Sequence, residues 1–166
     1  VAIVDWDLHH GNGTQKIFYS SDRVLFCSIH QQNVFPWSGW IDEIGEGRGR
    51  GFNLNAPLPA GGGKGDYALI FSEVFSDALS HFHPDVVIIS AGQDPLEDDP
   101  KGGMRLTPAD FGLLAALIRD ACHQPLALLL EGGYGPSLGD AIACILAVLK
   151  EGRTPEIPDV PEREST

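Results

Sequence analysis

VAIVDWDLHHGNG, residues 1–13, is the stretch on which the reading of this chain turns. Its first five residues form an apolar run whose length suits a strand buried on both faces, as in a parallel sheet. Polar side chains then follow at once: Asp5, Asp7, His9 and His10. In an extended segment residues i and i+2 point the same way, so Asp7 and His9 present a carboxylate and an imidazole together. His10 points the other way and reads as a structural, hydrogen-bonded histidine, the rival of His9 for any functional role.

Three further runs of this kind lie outward from the first, at residues 24–29 (VLFCSI), 86–91 (VVIISA) and 126–130 (LALLL). Helical patterns separate or follow them. Residues 66–82 place Tyr67, Ile70, Phe71, Val74, Ala78, Leu79 and Phe82 on one face at 3.6-residue spacing. Thr107, Pro108 and Asp110 supply a cap hydroxyl, a first-turn proline and an acid at the positive end of the dipole, predicting a helix to about residue 123. A last helix is expected over about residues 137–150. This alternation predicts an α/β fold, a parallel β-sheet flanked by helices. Residues 31–65, rich in Gly and Pro, read as a long ordered loop of the kind that often carries function. Residues 1–150 read as one domain, and residues 151–166 as a polar, proline-rich tail. The chain opens on a strand without Met or a polar lead-in, so it reads as a fragment whose sheet lacks its amino-terminal strands.

The 166 residues, 43% hydrophobic, suffice for one core. A net charge of −12 argues against direct nucleic acid binding, which needs clustered Lys and Arg. The acidity suits a cationic substrate, although solubility accounts for it equally well. Cys27, Cys122 and Cys144 are odd in number and set in apolar stretches, so they read as reduced core residues. No apolar run reaches the roughly 18 residues of a membrane span, and the expected location is cytoplasmic.

Unusual polar residues follow each predicted strand: Asp5 to His10, then His30, then Gln93 and Asp94, then Glu131 to Tyr134. That carboxyl edge is where open α/β sheets bind ligands. Asp94 can complete an Asp, His, Asp set with Asp7 and His9, suited to zinc or another first-row divalent ion with one position left open. Each piece alone has a plainer reading. An Asp-x-His caps helices and turns, Asp94 precedes a proline and suits a turn, and Gly132 and Gly133 close a tight turn with Tyr134 as a half-buried aromatic. Their arrival at one edge is what argues for a metal.

The phrases DWDLHHGNGTQKIFY, SIHQ, FPWSG, FNLNAPLPAG, SAGQDPLEDDP and LEGGYG, in that order, resemble the second half of the superfamily of histone deacetylases, acetylpolyamine amidohydrolases and acetoin-utilisation proteins. The forms at residues 12–15 and 131–134 are more similar to bacterial, archaeal and class II members than to class I. The resemblance covers about residues 1–150 and implies the arginase–deacetylase fold and a zinc-dependent deacetylase acting on acetyl-lysine or an acetylpolyamine. It makes Asp7, His9 and Asp94 the ligands of Zn2+, with Fe2+ as the alternative, and Tyr134 the phenol that polarises the scissile carbonyl. It further implies a structural K+ held by Asp5, Ser28 and the carbonyls of Asp7, His9 and Ile29, and a second cation near Phe18, Ser21 and Val24. Phe35 and Gly133 fall where the substrate tunnel is lined, and Trp37 stands where a small residue is usual.

Members of this family carry a tandem histidine, general base and acid, in a segment ahead of the first strand seen here, so these 166 residues alone are expected to be inactive. Two other readings compete. A truncated deacetylase-like domain would serve only in binding, and its unpaired sheet edge would favour association or oligomerisation. A binuclear ureohydrolase shares the fold but needs a further Asp where Gly11 stands, which favours a mononuclear site.

Overall fold

Ala2, Ile3, Val4 and Asp5 are all buried and form β1 (Ala2–Asp5), which lies at the centre of the sheet. In the computed structural model, which describes residues 1–152, β2 (Leu25–Gln31) and then β3 (Asn53–Leu58) lie on one side of β1. On the other side lie β4 (Val87–Ala91) and then β5 (Leu126–Leu130). All four pairings are parallel, and Asp5 stands opposite Ser28 of β2 and Ser90 of β4. The sheet is flanked by helices, as the alternation of patterns predicts. Because the chain runs outward from β1 to β3 and then returns to the far side of β1, the strand order reverses between β1 and β4. A crevice opens at such a reversal, outside the carboxyl ends of the two strands.

The helices depart from expectation in two places. Asn12–Phe18 forms a short α1, which contains no fully buried residue and so shows no apolar face in the sequence. The helix expected over residues 66–82 begins earlier, as α2 (Lys64–Leu69), and continues through a π segment, Ile70–Phe75, into α3 (Ser76–Phe82). The wider turn rotates the buried stripe: Tyr67, Phe71, Phe75 and Leu79 enter the core, while Val74 is left 38% exposed. The α4 helix (Pro108–Cys122) starts as predicted, with the Thr107 N–H and hydroxyl both donating to Asp110 Oδ2 at 2.8 Å. It packs on α3 and on α5 (Leu138–Glu151).

β3 corrects the reading of residues 31–65 as one loop. Its alternation is inverted: Asn53 and Asn55 are the buried side chains, so no apolar period marks the strand, and Pro57 is tolerated because β3 is an edge. β5 corrects the expectation of strands buried on both faces, since Leu129 is 54% and Leu130 68% exposed on the opposite edge. The tail expected over residues 151–166 lies, from residue 153 on, outside the described residues. Among the described residues no helix is long and apolar enough to cross a membrane.

Candidate metal centre

Past the end of β1 the chain keeps its two-residue alternation. Trp6 and Leu8 are fully buried, Trp6 between Phe71 and Phe111, and this anchoring turns Asp5, Asp7 and His9 away from the core. The segment is stitched to both neighbouring strand ends. The Leu8 carbonyl accepts from Gln31 N–H at 2.9 Å, and Leu8 N–H donates to Asp94 Oδ1 at 2.8 Å.

The crevice between β1 and β4 therefore gathers three side chains. His9 Nδ1 lies 3.2 Å from Asp7 Oδ1 and 3.1 Å from Asp94 Oδ2, and one ligand atom of each residue falls within 4.8 Å of the others. Ligands about 2.0–2.1 Å from a tetrahedral ion stand roughly 3.3 Å apart, so these separations match a common centre. Gly132 N–H donates to Asp7 Oδ2 at 2.9 Å. A Cβ there would stand 2.5 Å from Asp94 Oδ2 and 2.7 Å from Asp7 Oδ2, so only glycine brings the backbone this close. Among the described residues no other group of three such side chains forms a comparable cluster.

The electrostatics ask for a cation. Burial, then repulsion from Asp7, Glu131 and Asp94, raises the Asp5 carboxyl well above its ordinary value. Burial also raises Asp94, against the hydrogen bond from His9 and together with repulsion from Asp7. For Asp7 burial acts the same way, but hydrogen bonds from the His9 ring, the His9 N–H and the Gly132 N–H hold it below the ordinary range. Hydrogen bonds to Asp7 and Asp94 push His9 up to about 10, so its imidazolium proton stands in for a cation among four acids. Two carboxylates and one imidazole converging in a negative cleft of about 250 Å³, which Glu131 and Tyr134 also line, fit a divalent ion.

The model of the histone deacetylase domain matches residues 1–149. The chain belongs to this family. It is 41% identical over 138 residues to a probable deacetylase of Archaeoglobus fulgidus, a match covering 81% of this chain and 38% of that protein. It is 42% identical over 157 residues to the histone deacetylase-like amidohydrolase of Pseudomonas aeruginosa, covering 91% of this chain and 40% of that one. It superimposes on the crystal structure of the HDA15 HD domain with a TM-score of 0.85 at 38% identity, over 96% of this chain and 46% of the other. For the histone deacetylase Clr3 the TM-score is 0.90 at 34% identity, over 96% and 28%. The chain thus spans about two fifths of the length of the two curated relatives, and its sheet is of the arginase–deacetylase type.

Other expected positions of this deacetylase-family chain scatter around the cleft. Tyr134 sits at its mouth, 63% exposed, with its N–H held at 2.6 Å by Asp99 Oδ2, which also accepts from Gly135 N–H at 3.0 Å. Asp99 was not anticipated, because a carboxylate that accepts backbone N–H groups looks in sequence like any solvated acid. Gly133, with φ of +129°, faces Gln93 and Leu138 rather than the cleft. Ser28 donates to His30, and the Ile29 side chain belongs to the core. Phe18, Ser21 and Val24 lie along the connection from α1 to β2, where Ser21 N–H donates to the Phe18 carbonyl at 2.9 Å. Phe35 is 63% exposed on the loop after β2, against the Trp37 ring.

Beside this centre lies a buried polar network: His10 is the hydrogen-bonded histidine expected from the sequence, while its partners Gln15, Asn53 and Asn55 gave no signal there. Gln15 Oε1 accepts from Asn53 Nδ2 at 2.9 Å and Asn55 Nδ2 at 2.8 Å, so His10 Nε2, 3.0 Å away, must also donate to it. His10 Nδ1 is then the acceptor for Ser38 Oγ at 2.8 Å. By the same logic His30 Nε2 donates to the Gly39 carbonyl at 2.9 Å and His30 Nδ1 accepts from Ser28 Oγ at 2.9 Å. Burial lowers His10; burial and then repulsion from His10 push His30 down to about 4. Two neutral rings, 4.8 Å apart, thus pin the loop after β2 to the segment that carries Asp7 and His9.

Proposed function

We propose that this chain carries the metal centre of a deacetylase that hydrolyses the amide of an acylated amine, acetyl-lysine or an acetylated polyamine. The observation that carries this reading is the convergence of Asp7, His9 and Asp94 at the β1/β4 crevice of a chain of the histone deacetylase family. The donor set suits Zn2+, with Fe2+ as the alternative. Asp7, His9 and Asp94 would hold the ion, which would supply Lewis acidity for hydrolysis of the amide. Tyr134, held at the mouth by Asp99, donates its phenolic hydrogen to the oxygen on which charge develops. Buried Asp5, opposite Ser28 across the strand pair, would bind a structural K+: the Ser28 hydroxyl gives its proton to His30 and keeps oxygen lone pairs for a cation. The general base and acid are assigned to the tandem histidines that the family resemblance implies outside these residues, so the isolated chain is predicted to bind metal without turnover.

Assay of the full-length protein on acetyl-lysine peptides and acetylated polyamines tests this reading. Tyr134→Phe is expected to lower kcat by about 10²–10³-fold, the usual loss of one oxyanion donor, with metal content unchanged. Full activity in that variant would remove Tyr134 from the reaction. Failure of chelation to abolish turnover would remove the metal from it.

A further inference from the structure

Trp37 is a residue whose placement the fold itself does not explain. Its indole is 69% exposed, and its backbone has φ of +57°, a left-handed conformation that bulky side chains rarely adopt. Among the described residues its ring contact is an edge-to-face pair with Phe35 at 5.8 Å, itself largely in water. Strain of this kind persists where the surrounding structure imposes it, and it collects at ligand sites.

The loop that presents Trp37 is firmly held. Trp37 N–H donates to the Val34 carbonyl at 2.8 Å, and Ser38 Oγ donates to His10 Nδ1 at 2.8 Å. Gly39 N–H donates to the Glu43 carboxylate at 3.2 Å, and the Gly39 carbonyl accepts from His30. The residue after Trp37 is thereby bonded to the neighbour of the candidate ligand His9. The loop itself carries acids and no base: residues 31–46 contain Asp42, Glu43 and Glu46 and neither Lys nor Arg, while Lys16 lines a cleft with Glu43 and Glu46. The candidate metal cleft is lined by Asp5, Asp7, Asp94 and Glu131.

We propose that Trp37 is a specificity-determining residue, whose indole face receives an alkylammonium group on the part of the acylated amine that remains outside the metal cleft. The inference rests on the deacetylase reading above. Indole is the best aromatic partner for a cation, and the acidic cleft adds attraction for the same charge. The ammonium can belong to a polyamine or to a lysine flanking an acetyl-lysine in a peptide.

The test uses the full-length protein and two matched pairs. One pair is N-acetylputrescine and N-pentylacetamide, in which a methyl replaces the ammonium; the other is acetyl-lysine peptides with lysine or glutamine flanks. The parent is expected to prefer the charged member of one pair by about three- to tenfold in kcat/KM, carried by KM and weakened by salt. Trp37→Gly brings that ratio close to one and raises Tm, because glycine takes a positive φ without strain, while Trp37→Phe keeps part of the preference. Preference within the first pair names a polyamine as the source of the ammonium, and preference within the second names a lysine-bearing peptide. The proposal is overturned if Trp37→Gly leaves the ratio unchanged, or lowers kcat/KM equally on charged and neutral members. If the parent turns over none of the four compounds, the deacetylase reading fails by itself. The present proposal is then decided by whether N-acetylputrescine, and not N-pentylacetamide, shifts a tryptophan emission that is lost in Trp37→Gly.

Discussion

His9 Nδ1 stands between two carboxylate oxygens at 3.1 and 3.2 Å, where the proposed metal ion would have to displace a proton. Hydrogen bonds to Asp7 and then Asp94 hold the imidazolium up to about 10, so at pH 7 the ring in the metal-free chain is protonated. Ligation needs the neutral ring. Each ion bound at pH 7 should therefore release about one proton from His9, and this release should fade as pH rises through the His9 value. Calorimetric titration with zinc in buffers of different ionisation enthalpy measures it, and zero release at pH 7 would contradict the assignment. At this scale the cluster of Asp7, His9 and Asp94 was legible in the sequence, because Asp7 and His9 obey a two-residue period and Asp94 follows another apolar run. Asp99 and Gln15 were not legible, since what makes each matter is the N–H and amide partners that only folding brings to it.

The loop after β2 is pinned beside the cleft by His10, Gln15 and His30. Gly39 is where it meets both rings: φ is +88°, and a Cβ would stand 2.5 Å from His30 Nε2 and 2.6 Å from His10 Cγ. Gly39→Ala should lower unfolding stability by about 2–4 kcal/mol, combining overpacking with a left-handed alanine. Gly47, with φ of +54° and open space around it, gives the comparison. Gly47→Ala should cost about 1 kcal/mol, from the backbone alone. Urea titration of both variants checks this, and equal effects would mean that the two rings yield freely. The same network explains why β3 was hidden. Its buried face is Asn53 and Asn55, polar because it completes the Gln15 cluster, so the pattern that reveals a strand was absent where the strand carries most structure. β1, β2, β4 and β5 were legible because their apolar runs are continuous.

For the molecule as a whole, the order β3-β2-β1-β4-β5 brings the motifs that end β1, β4 and β5 to one cleft, with His30 of β2 beside it, and leaves β5 as an edge. Leu129 and Leu130 on that strand and Leu146 on α5 are largely exposed, and an unpaired edge strand with exposed apolar side chains favours association. The 166-residue chain should self-associate in sedimentation experiments, and Leu129→Lys should shift it toward monomer; a parent that is monomeric at every concentration would contradict this. The strand order could not be read from the runs alone, since their sequence order is compatible with several sheets, but it is what brings Asp94 to Asp7 and His9. That meeting is the centre of the account. Elemental analysis of the folded full-length protein and its Asp94→Ala variant, each equilibrated with zinc and freed of excess, tests it most directly. One tightly held equivalent in the parent and close to none in the variant is the predicted result, and equal metal content in the two would contradict it.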